Sequence, residues 1–193
     1  CVLNGQERLQ VGLGDRVLVI GAGEIGCMHM QVARARGAQQ VLALEVNEKR
    51  LSIAQQFADH IANPHNEDPK QFIEKWTRNS GGVNVVIVAC GAADAQALAL
   101  ELAAPRGRVC NFGGLPKTNP FSTINANLMH YKELTVLGSF SSSPHHNRLA
   151  LELISSNIVN VKPLISKKLP LESLESAILE MRQGTSMKIV IQP

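Results

Sequence analysis

Residues 21–26 read Gly-Ala-Gly-Glu-Ile-Gly, directly after the apolar run 16–20 and before a stretch compatible with a helix. In a strand-turn-helix unit with this spacing, the first glycine allows a tight turn, the second lets the backbone approach a pyrophosphate, and the third lets helix and strand pack closely. Unpaired N–H groups at the start of the helix then bind the phosphates. The pattern predicts a dinucleotide site whose phosphate contacts come from Gly21, Gly23, Glu24, Ile25 and Gly26.

An acidic residue follows at the expected distance. Glu45 ends the next apolar run, 41–44, and lies nineteen residues after Gly26. Its carboxylate is expected to accept hydrogen bonds from an adenosine ribose, and its charge favours NAD over NADP because a 2'-phosphate would bring like charges together. Arg50 could instead pair with such a phosphate, or be an ordinary solvated helix arginine. The alternative for Glu45 is a solvated acid at the end of a strand.

Strand and helix patterns alternate along the first three-quarters of the chain, which is typical of a doubly wound α/β fold. A helix is expected over 23–36, ended by Gly37, with Asn47 and Asn125 as N-caps of later helices. The predicted architecture is therefore a Rossmann-type doubly wound parallel six-stranded sheet. Its strands are expected at 16–20, 41–44, 60–62, 83–89, 108–112 and 134–138.

Residues after Phe140 depart from this pattern. Ser143-Pro144 is expected to open a helix, Pro163 and Pro170 bracket a short strand, and 187–191 form a last strand. A further helix is expected from an apolar face formed by Leu171, Leu174, Ile178 and Met181. We therefore divide the chain into an NAD-binding domain, 1–140, and a C-terminal α/β extension, 141–193.

Composition excludes several classes of function. Lys and Arg number 19 against 16 Asp and Glu, without a dense basic run, and one Trp and one Tyr offer little for base stacking, so no nucleic acid partner is expected. The apolar runs are of strand length, which predicts no membrane span. The four cysteines, at 1, 27, 90 and 110, form no close pair, so a cytoplasmic setting is expected.

The adjacent His145 and His146 would point about 100° apart on a helix, and no histidine spacing predicts a metal site.

Four segments together carry a resemblance to a known family. They are Gly-Asp-Arg-Val-Leu-Val-Ile-Gly-Ala-Gly-Glu-Ile-Gly at 14–26, Glu-Val-Asn at 45–47, Cys-Gly at 90–91 and Phe-Gly-Gly at 112–114. The sequence resembles the medium-chain, zinc-dependent alcohol and polyol dehydrogenases, and within them it is most similar to the sorbitol and threonine dehydrogenase branch. Segment 131–140 is the pointer to that branch.

The resemblance implies further cofactor contacts. Backbone after the fourth and fifth strands flanks the cofactor, a pair of residues after the sixth strand lies beside the nicotinamide, and a basic residue near the C-terminus lies close to the pyrophosphate. Simple strand-end packing is the alternative for the first group, and an exposed strand lysine is the alternative for the last. In this sequence the residues are Cys90, Gly91, Phe112, Gly113, Ser139, Phe140 and Lys188.

Members of this family also begin with a separate β-rich domain that carries the catalytic zinc, and that domain is expected to be absent from this chain. The zinc acts as a Lewis acid on the alcohol oxygen, so that hydride can leave for the nicotinamide. The resemblance thus implies no catalytic residue and no metal ligand in this chain, with zinc expected only in the missing domain. It also implies that the extension packs on that domain and that a homo-oligomer can form.

The leading hypothesis is a cofactor-binding fragment of an oxidoreductase that transfers hydride between a secondary alcohol or polyol and NAD. On its own the fragment is expected to be inactive. The alternatives are a zinc-free quinone reductase relative, an NAD-sensing module without turnover, and a methyltransferase that binds S-adenosylmethionine. A short-chain dehydrogenase is excluded, because its tyrosine needs a lysine four residues later and the residue four positions after Tyr131 is Thr135.

Overall fold

The computed structural model describes residues 1–77 and 80–193, in which six parallel strands form one sheet in the order β3-β2-β1-β4-β5-β6. This is the strand order of the Rossmann fold, so the predicted fold class is confirmed. All six strands lie where the apolar runs predict them, with small differences at their ends except for the fifth strand, which begins five residues earlier than predicted. They are β1 (Arg16–Ile20), β2 (Gln40–Leu44), β3 (His60–Ala62), β4 (Val83–Val88), β5 (Ala103–Asn111) and β6 (Thr135–Gly138).

Helices cover both faces of the sheet. Alternate residues of β1 pack into separate buried clusters: Val17 and Val19 on one face, Leu18 and Ile20 on the other. Both faces are therefore apolar, which explains why the strands read as continuous hydrophobic runs. The helices of this part are α1 (Val2–Arg8), α2 (Glu24–Ala35), α3 (Glu48–Ala54), α4 (Pro69–Thr77), α5 (Ala93–Leu102) and α6 (Ala126–Tyr131).

The start of β5 differs from the prediction. The strand was predicted to begin at 108, after the turn-favouring residues Pro105-Arg106-Gly107, yet β5 already pairs with β4 at Ala103. The register then shifts before Arg108 pairs with Val85, and Arg106 takes a positive φ of 60° in between. The three residues thus form an irregularity within the strand, because pairing on both sides of it overrides the local turn preference.

The N-terminal helix α1 carries no sequence motif and was not predicted. It packs against α2, and its Gln6 side chain is fully buried there. Gln6 Nε2 donates to the backbone oxygen of His29 at 2.7 Å and lies 3.2 Å from His29 Nδ1. A buried polar pair that joins two helices in this way fixes their relative position, since separating them would leave both groups unpaired.

The C-terminal extension packs on the first half of the sheet. Leu164 and Met187 belong to the same buried cluster as Val17, Val19 and Met30. Its helices and strands are α7 (Pro144–Ser155), β7 (Lys167–Pro170), α8 (Leu174–Arg182) and β8 (Ile189–Gln192), with single 3-10 turns at Lys162–Leu164 and Leu171–Ser173. β7 and β8 pair in parallel as a separate two-stranded sheet. No helix in residues 1–77 and 80–193 is long and apolar enough to cross a membrane.

The apolar face predicted for the last helix remains largely exposed. Leu171, Leu174 and Ile178 are each exposed by 42% or more of their side-chain surface, and Leu179 by 58%. By contrast, Ala177 of the same helix is buried. The extension therefore presents an exposed apolar surface, although its Leu164 and Met187 are buried in the core of the six-stranded sheet.

Burial of His29 makes the stability of the fold depend on pH. Burial lowers the pKa of His29 from its ordinary value of 6.5 to about 3. Between these values the unfolded chain binds a proton that the folded chain does not, so stability is lost as the pH falls below 6.5. As the pH falls below 6.5, we expect the free energy of unfolding to decrease by about 1.4 kcal/mol per pH unit more than it does in a His29→Gln variant. Urea unfolding of both proteins at pH 7.5, 6.5 and 5.5 measures it, and parallel pH profiles would contradict the prediction.

Candidate cofactor-binding site

The turn after β1 lies between the ends of two neighbouring strands. Gly21 has a φ of +97°, which residues with a side chain rarely adopt, and its N–H donates to the carbonyl of Leu44 at 2.8 Å. A Cβ on Gly21 would lie 3.2 Å from the backbone of Ala89, which follows β4. The turn is therefore held at the carboxyl edge of the sheet, between β2 and β4, where open α/β sheets bind ligands.

The other two glycines of the motif have opposite surroundings. A Cβ on Gly26 would lie 1.9 Å from the carbonyl oxygen of Gly21, so only glycine allows α2 to begin against the turn. Around Gly23, by contrast, an added Cβ would meet no atom within 4 Å among the described residues. Gly23 is also the N-cap of α2 and, in the described part of the chain, no side chain caps this helix. An open space thus lies beside the backbone N–H groups of Glu24 and Ile25.

Glu45 fixes the end of β2 against this turn. Glu45 is buried, with 6% of its surface exposed, and its carboxylate accepts two backbone hydrogen bonds, from Ala22 N at 2.7 Å and from Asn47 N at 2.9 Å. Asn47 in turn caps α3, as predicted, by accepting from the N–H groups of Lys49 and Arg50. Each carboxylate oxygen uses one acceptor position in this arrangement and keeps a second for a ligand.

Arg50 lies between α3 and the C-terminal extension. A Cβ on Gly184 would be 3.7 Å from its Nη2 atom, and its buried Nε has no hydrogen-bond partner among the described residues. Arg50 is therefore not a freely solvated helix arginine. An unpaired buried N–H of a cation marks a position that an anionic or carbonyl group would satisfy.

The loops after β4 and β5 contact each other through their backbones. The N–H groups of Phe112 and Gly113 both donate to Val88 O, at 3.1 and 2.8 Å, and a Cβ on Gly113 would lie 2.3 Å from Cys90 O. Gly91 is the next residue of the loop after β4. Burial raises the pKa of the Cys90 thiol in the same loop. The strand ends thus come together as a continuous backbone surface next to the turn after β1.

The side chain of Phe112 points away from this surface. Its ring meets the ring of His29 edge to face, with the ring centres 4.4 Å apart, and it would lie 2.9 Å from a Cβ on Gly5 of α1. Any contribution of Phe112 at the carboxyl edge therefore comes from its backbone. This agrees with the strand-end packing considered for its side chain.

Ser139 and Phe140 follow β6 at the same edge, because Gly138 pairs with Asn111 at the end of β5. Phe140 is 94% exposed, and the side chain of Asn4 in α1 forms hydrogen bonds with this segment.

Lys188 lies just before β8 with an exposed side chain. Its carbonyl accepts from Ser166 N, while none of the described residues forms a hydrogen bond or ion pair with its ammonium group.

Two further histidines make structural contacts in this fold. His60 stacks on Trp76 with ring centres 3.3 Å apart, and His146 accepts from Ser143 N in a capping box at the start of α7 while its Nε2 contacts Glu7. Over residues 1–77 and 80–193, no three His, Cys, Asp or Glu side chains come close enough to hold a metal ion. The described residues therefore do not provide the ligands of a zinc site.

Two alanine substitutions test the geometry of the turn. Gly26→Ala forces a methyl group against the Gly21 carbonyl and should lower the free energy of unfolding by roughly 3 kcal/mol or prevent folding. Gly23→Ala places the methyl group in open space and should cost less than about 1 kcal/mol. Urea unfolding of the two variants measures the difference. Equal losses would show that the crowding at Gly26 is not what the fold depends on.

Comparison with known proteins matches residues 25–156 to the zinc-binding dehydrogenases. An L-threonine 3-dehydrogenase of Bacillus licheniformis is 35% identical over 182 residues, which cover 93% of this chain and 52% of that protein. The sorbitol dehydrogenase of Ovis aries is 30% identical over 192 residues, which cover 96% and 52%. A protein described as a zinc-binding dehydrogenase of Sinorhizobium meliloti, bound to NADP, is 27% identical and has a TM-score of 0.89 over 100% of this chain and 56% of its own.

The chain spans about half the length of these relatives. Its sheet order, its glycine turn and the match over 132 consecutive residues, 25–156, agree with one another. The chain belongs to the family of zinc-binding dehydrogenases.

Proposed function

We propose that this chain is the dinucleotide-binding part of a zinc-dependent oxidoreductase that transfers hydride between a secondary alcohol or polyol and NAD. The observation that carries the proposal is the Glu45 carboxylate, bonded to Ala22 N directly beside the open space at Gly23. An acceptor for ribose hydroxyls and a set of amide donors for phosphates are thereby fixed next to each other.

The pyrophosphate would lie over the first turn of α2, against the N–H groups of Glu24, Ile25 and Gly26. Gly21 and Gly23 would line its approach, since neither has a side chain to block it. Glu45 would accept hydrogen bonds from the adenosine ribose. Because its carboxylate is held by two backbone N–H groups, turning it away would leave a buried donor unpaired, and it therefore disfavours a 2'-phosphate. On this ground we propose NAD rather than NADP.

The remaining predicted contacts surround the other half of the cofactor. Backbone groups of Cys90, Gly91, Phe112 and Gly113 would flank it, and Ser139 and Phe140 would lie beside the nicotinamide. Arg50 and Lys188 would supply positive charge, the first near the adenosine and the second near the pyrophosphate. When bound, the nicotinamide ring accepts hydride from the alcohol carbon, and these residues bind and orient it.

Metal and substrate contacts would come from the part of the relatives that this chain does not match. The relatives include an L-threonine 3-dehydrogenase and a sorbitol dehydrogenase, which points to a secondary alcohol or polyol as substrate. The exposed apolar residues Leu171, Leu174 and Ile178 would pack on that other part. We further propose a cytoplasmic location, as all four cysteines are free, and a homo-oligomer as in the family.

Cofactor binding can be tested directly by fluorescence. On addition of this chain, NADH fluorescence should rise because the nicotinamide leaves water, and S-adenosylmethionine at tenfold excess should not reverse the rise. Gly23→Ala should abolish it, because the added methyl group occupies the place of the pyrophosphate. Displacement of NADH by S-adenosylmethionine would instead support a methyltransferase and contradict the proposal.

The choice of cofactor can be tested at Glu45. Glu45→Ala should weaken NADH by about 10-fold, as expected for a lost hydrogen bond to a charged acceptor, and should weaken NADPH less. Glu48→Gln is a matched control, because Glu48 lies nearby on α3 but accepts from Asn63 rather than from the turn. Calorimetric titration of both cofactors into the three proteins gives the affinities. An equal loss of affinity for NADH and NADPH would contradict a contact between Glu45 and the adenosine ribose.

A further inference from the structure

The side chain of Asn4 joins α1 to the segment that follows β6. Its Nδ2 amide donates to three oxygens in consecutive residues: Ser139 Oγ at 3.3 Å, Phe140 O at 3.4 Å and Ser141 O at 3.1 Å. An amide NH2 group has two hydrogens, so the three acceptors share them. A single side chain thus holds the backbone of residues 139–141 from more than 130 positions away in the sequence.

Other contacts of α1 converge on the same segment. Arg8 Nη1 donates to Gly138 O, the last residue of β6. A Cβ on Gly5 would lie 2.9 Å from the Phe112 ring and 3.5 Å from Ser139 Oγ, so the helix approaches as closely as glycine allows. One face of α1 is therefore fitted to the ends of β5 and β6.

The segment itself needs such support. Ser141 has a φ of +65°, a backbone conformation that residues with a side chain rarely adopt. The Phe140 side chain is 94% exposed and contributes no packing to hold the chain in place. Asn4 contacts the backbone of this segment twice, at Phe140 O and Ser141 O, and contacts the Ser139 hydroxyl as well.

The position of this segment relates it to one end of the ligand. In a Rossmann fold one half of the sheet binds each mononucleotide, and Glu45 belongs to the half formed by β1, β2 and β3. Residues 139–141 leave β6 at the carboxyl edge of the other half. A dinucleotide with its adenosine at Glu45 would therefore extend its second nucleoside towards them.

We propose that Asn4 is a positioning residue, which holds the backbone of residues 139–141 ready for the nicotinamide nucleoside. The inference rests on the proposed function and adds a role that lies outside the glycine motif and the strand ends. By fixing the segment before the cofactor arrives, Asn4 lowers the entropy cost of ordering it on binding. Its effect should be confined to the nicotinamide end of the ligand.

The test compares a whole cofactor with one that lacks the nicotinamide ring. NADH and ADP-ribose are titrated by calorimetry into the 193-residue chain and into Asn4→Leu, which removes the amide donor at nearly constant size without adding charge. We expect Asn4→Leu to weaken NADH by about 3- to 10-fold, the range of one or two net hydrogen bonds, and to change ADP-ribose by less than about 2-fold. Asn4→Asp, which also cannot donate, should likewise weaken NADH while leaving the affinity for ADP-ribose nearly unchanged.

Glu7→Gln is the control for a purely structural effect. Glu7 lies on the same helix and contacts His146 of α7, but it makes no hydrogen bond to residues 139–141 in the described structure. This variant should leave both affinities unchanged. Equal losses of NADH and ADP-ribose in Asn4→Leu, or no loss of either, would overturn the positioning role while leaving the proposed function intact. If the unsubstituted chain bound neither NADH nor ADP-ribose, the proposed function would be contradicted, and the inference with it.

Discussion

The hydrogen bond from Ala22 N to the Glu45 carboxylate connects the two features on which the site depends. One partner lies in the turn after β1 and the other at the end of β2, and the bond is 2.7 Å long in a place that is almost closed to water. A second bond, from Asn47 N, ties the same carboxylate to the start of α3. Because breaking either bond would leave a buried amide unpaired, the acid keeps one orientation whether or not a ligand is present.

The rest of the carboxyl edge is assembled by backbone contacts around this bond. The turn at Gly21 touches the residues after β4, and those touch the loop after β5 through Gly113 and Cys90. Side chains at these positions either are absent or, like that of Phe112, turn into the core. The result is a surface of amides and small residues at which a long anionic ligand can lie flat. The sheet fixes the positions of these main-chain groups.

Much of this could be predicted from the sequence, because local signals and the fold agree. Continuous β-branched runs such as 83–88 identify buried parallel strands, and the glycine at position 21 fits the positive φ found there. Asn47 and Asn125 were recognised as N-caps because their side chains act within a single turn. The family resemblance, drawn from four short segments, was confirmed over residues 25–156.

What could not be predicted depends on contacts between distant parts of the chain. Helix α1 has only seven residues, and the packing of Gln6 on His29 that holds it is invisible in the sequence. The early start of β5 depends on pairing with β4 across an irregular register. Likewise, the approach of Gly184 of the extension to Arg50 cannot be predicted from the sequence. No sequence motif includes Asn4, because its contacts form only when the folded chain brings the end of β6 beside α1.

The account is tested most directly by a crystal structure of this chain grown with NADH. We expect the two phosphates within hydrogen-bond distance of the N–H groups at the start of α2, and an adenosine ribose hydroxyl on the Glu45 carboxylate, with the Ala22 bond still in place. A cofactor bound elsewhere on the molecule, or a Glu45 side chain turned out of the crevice in its presence, would contradict the account.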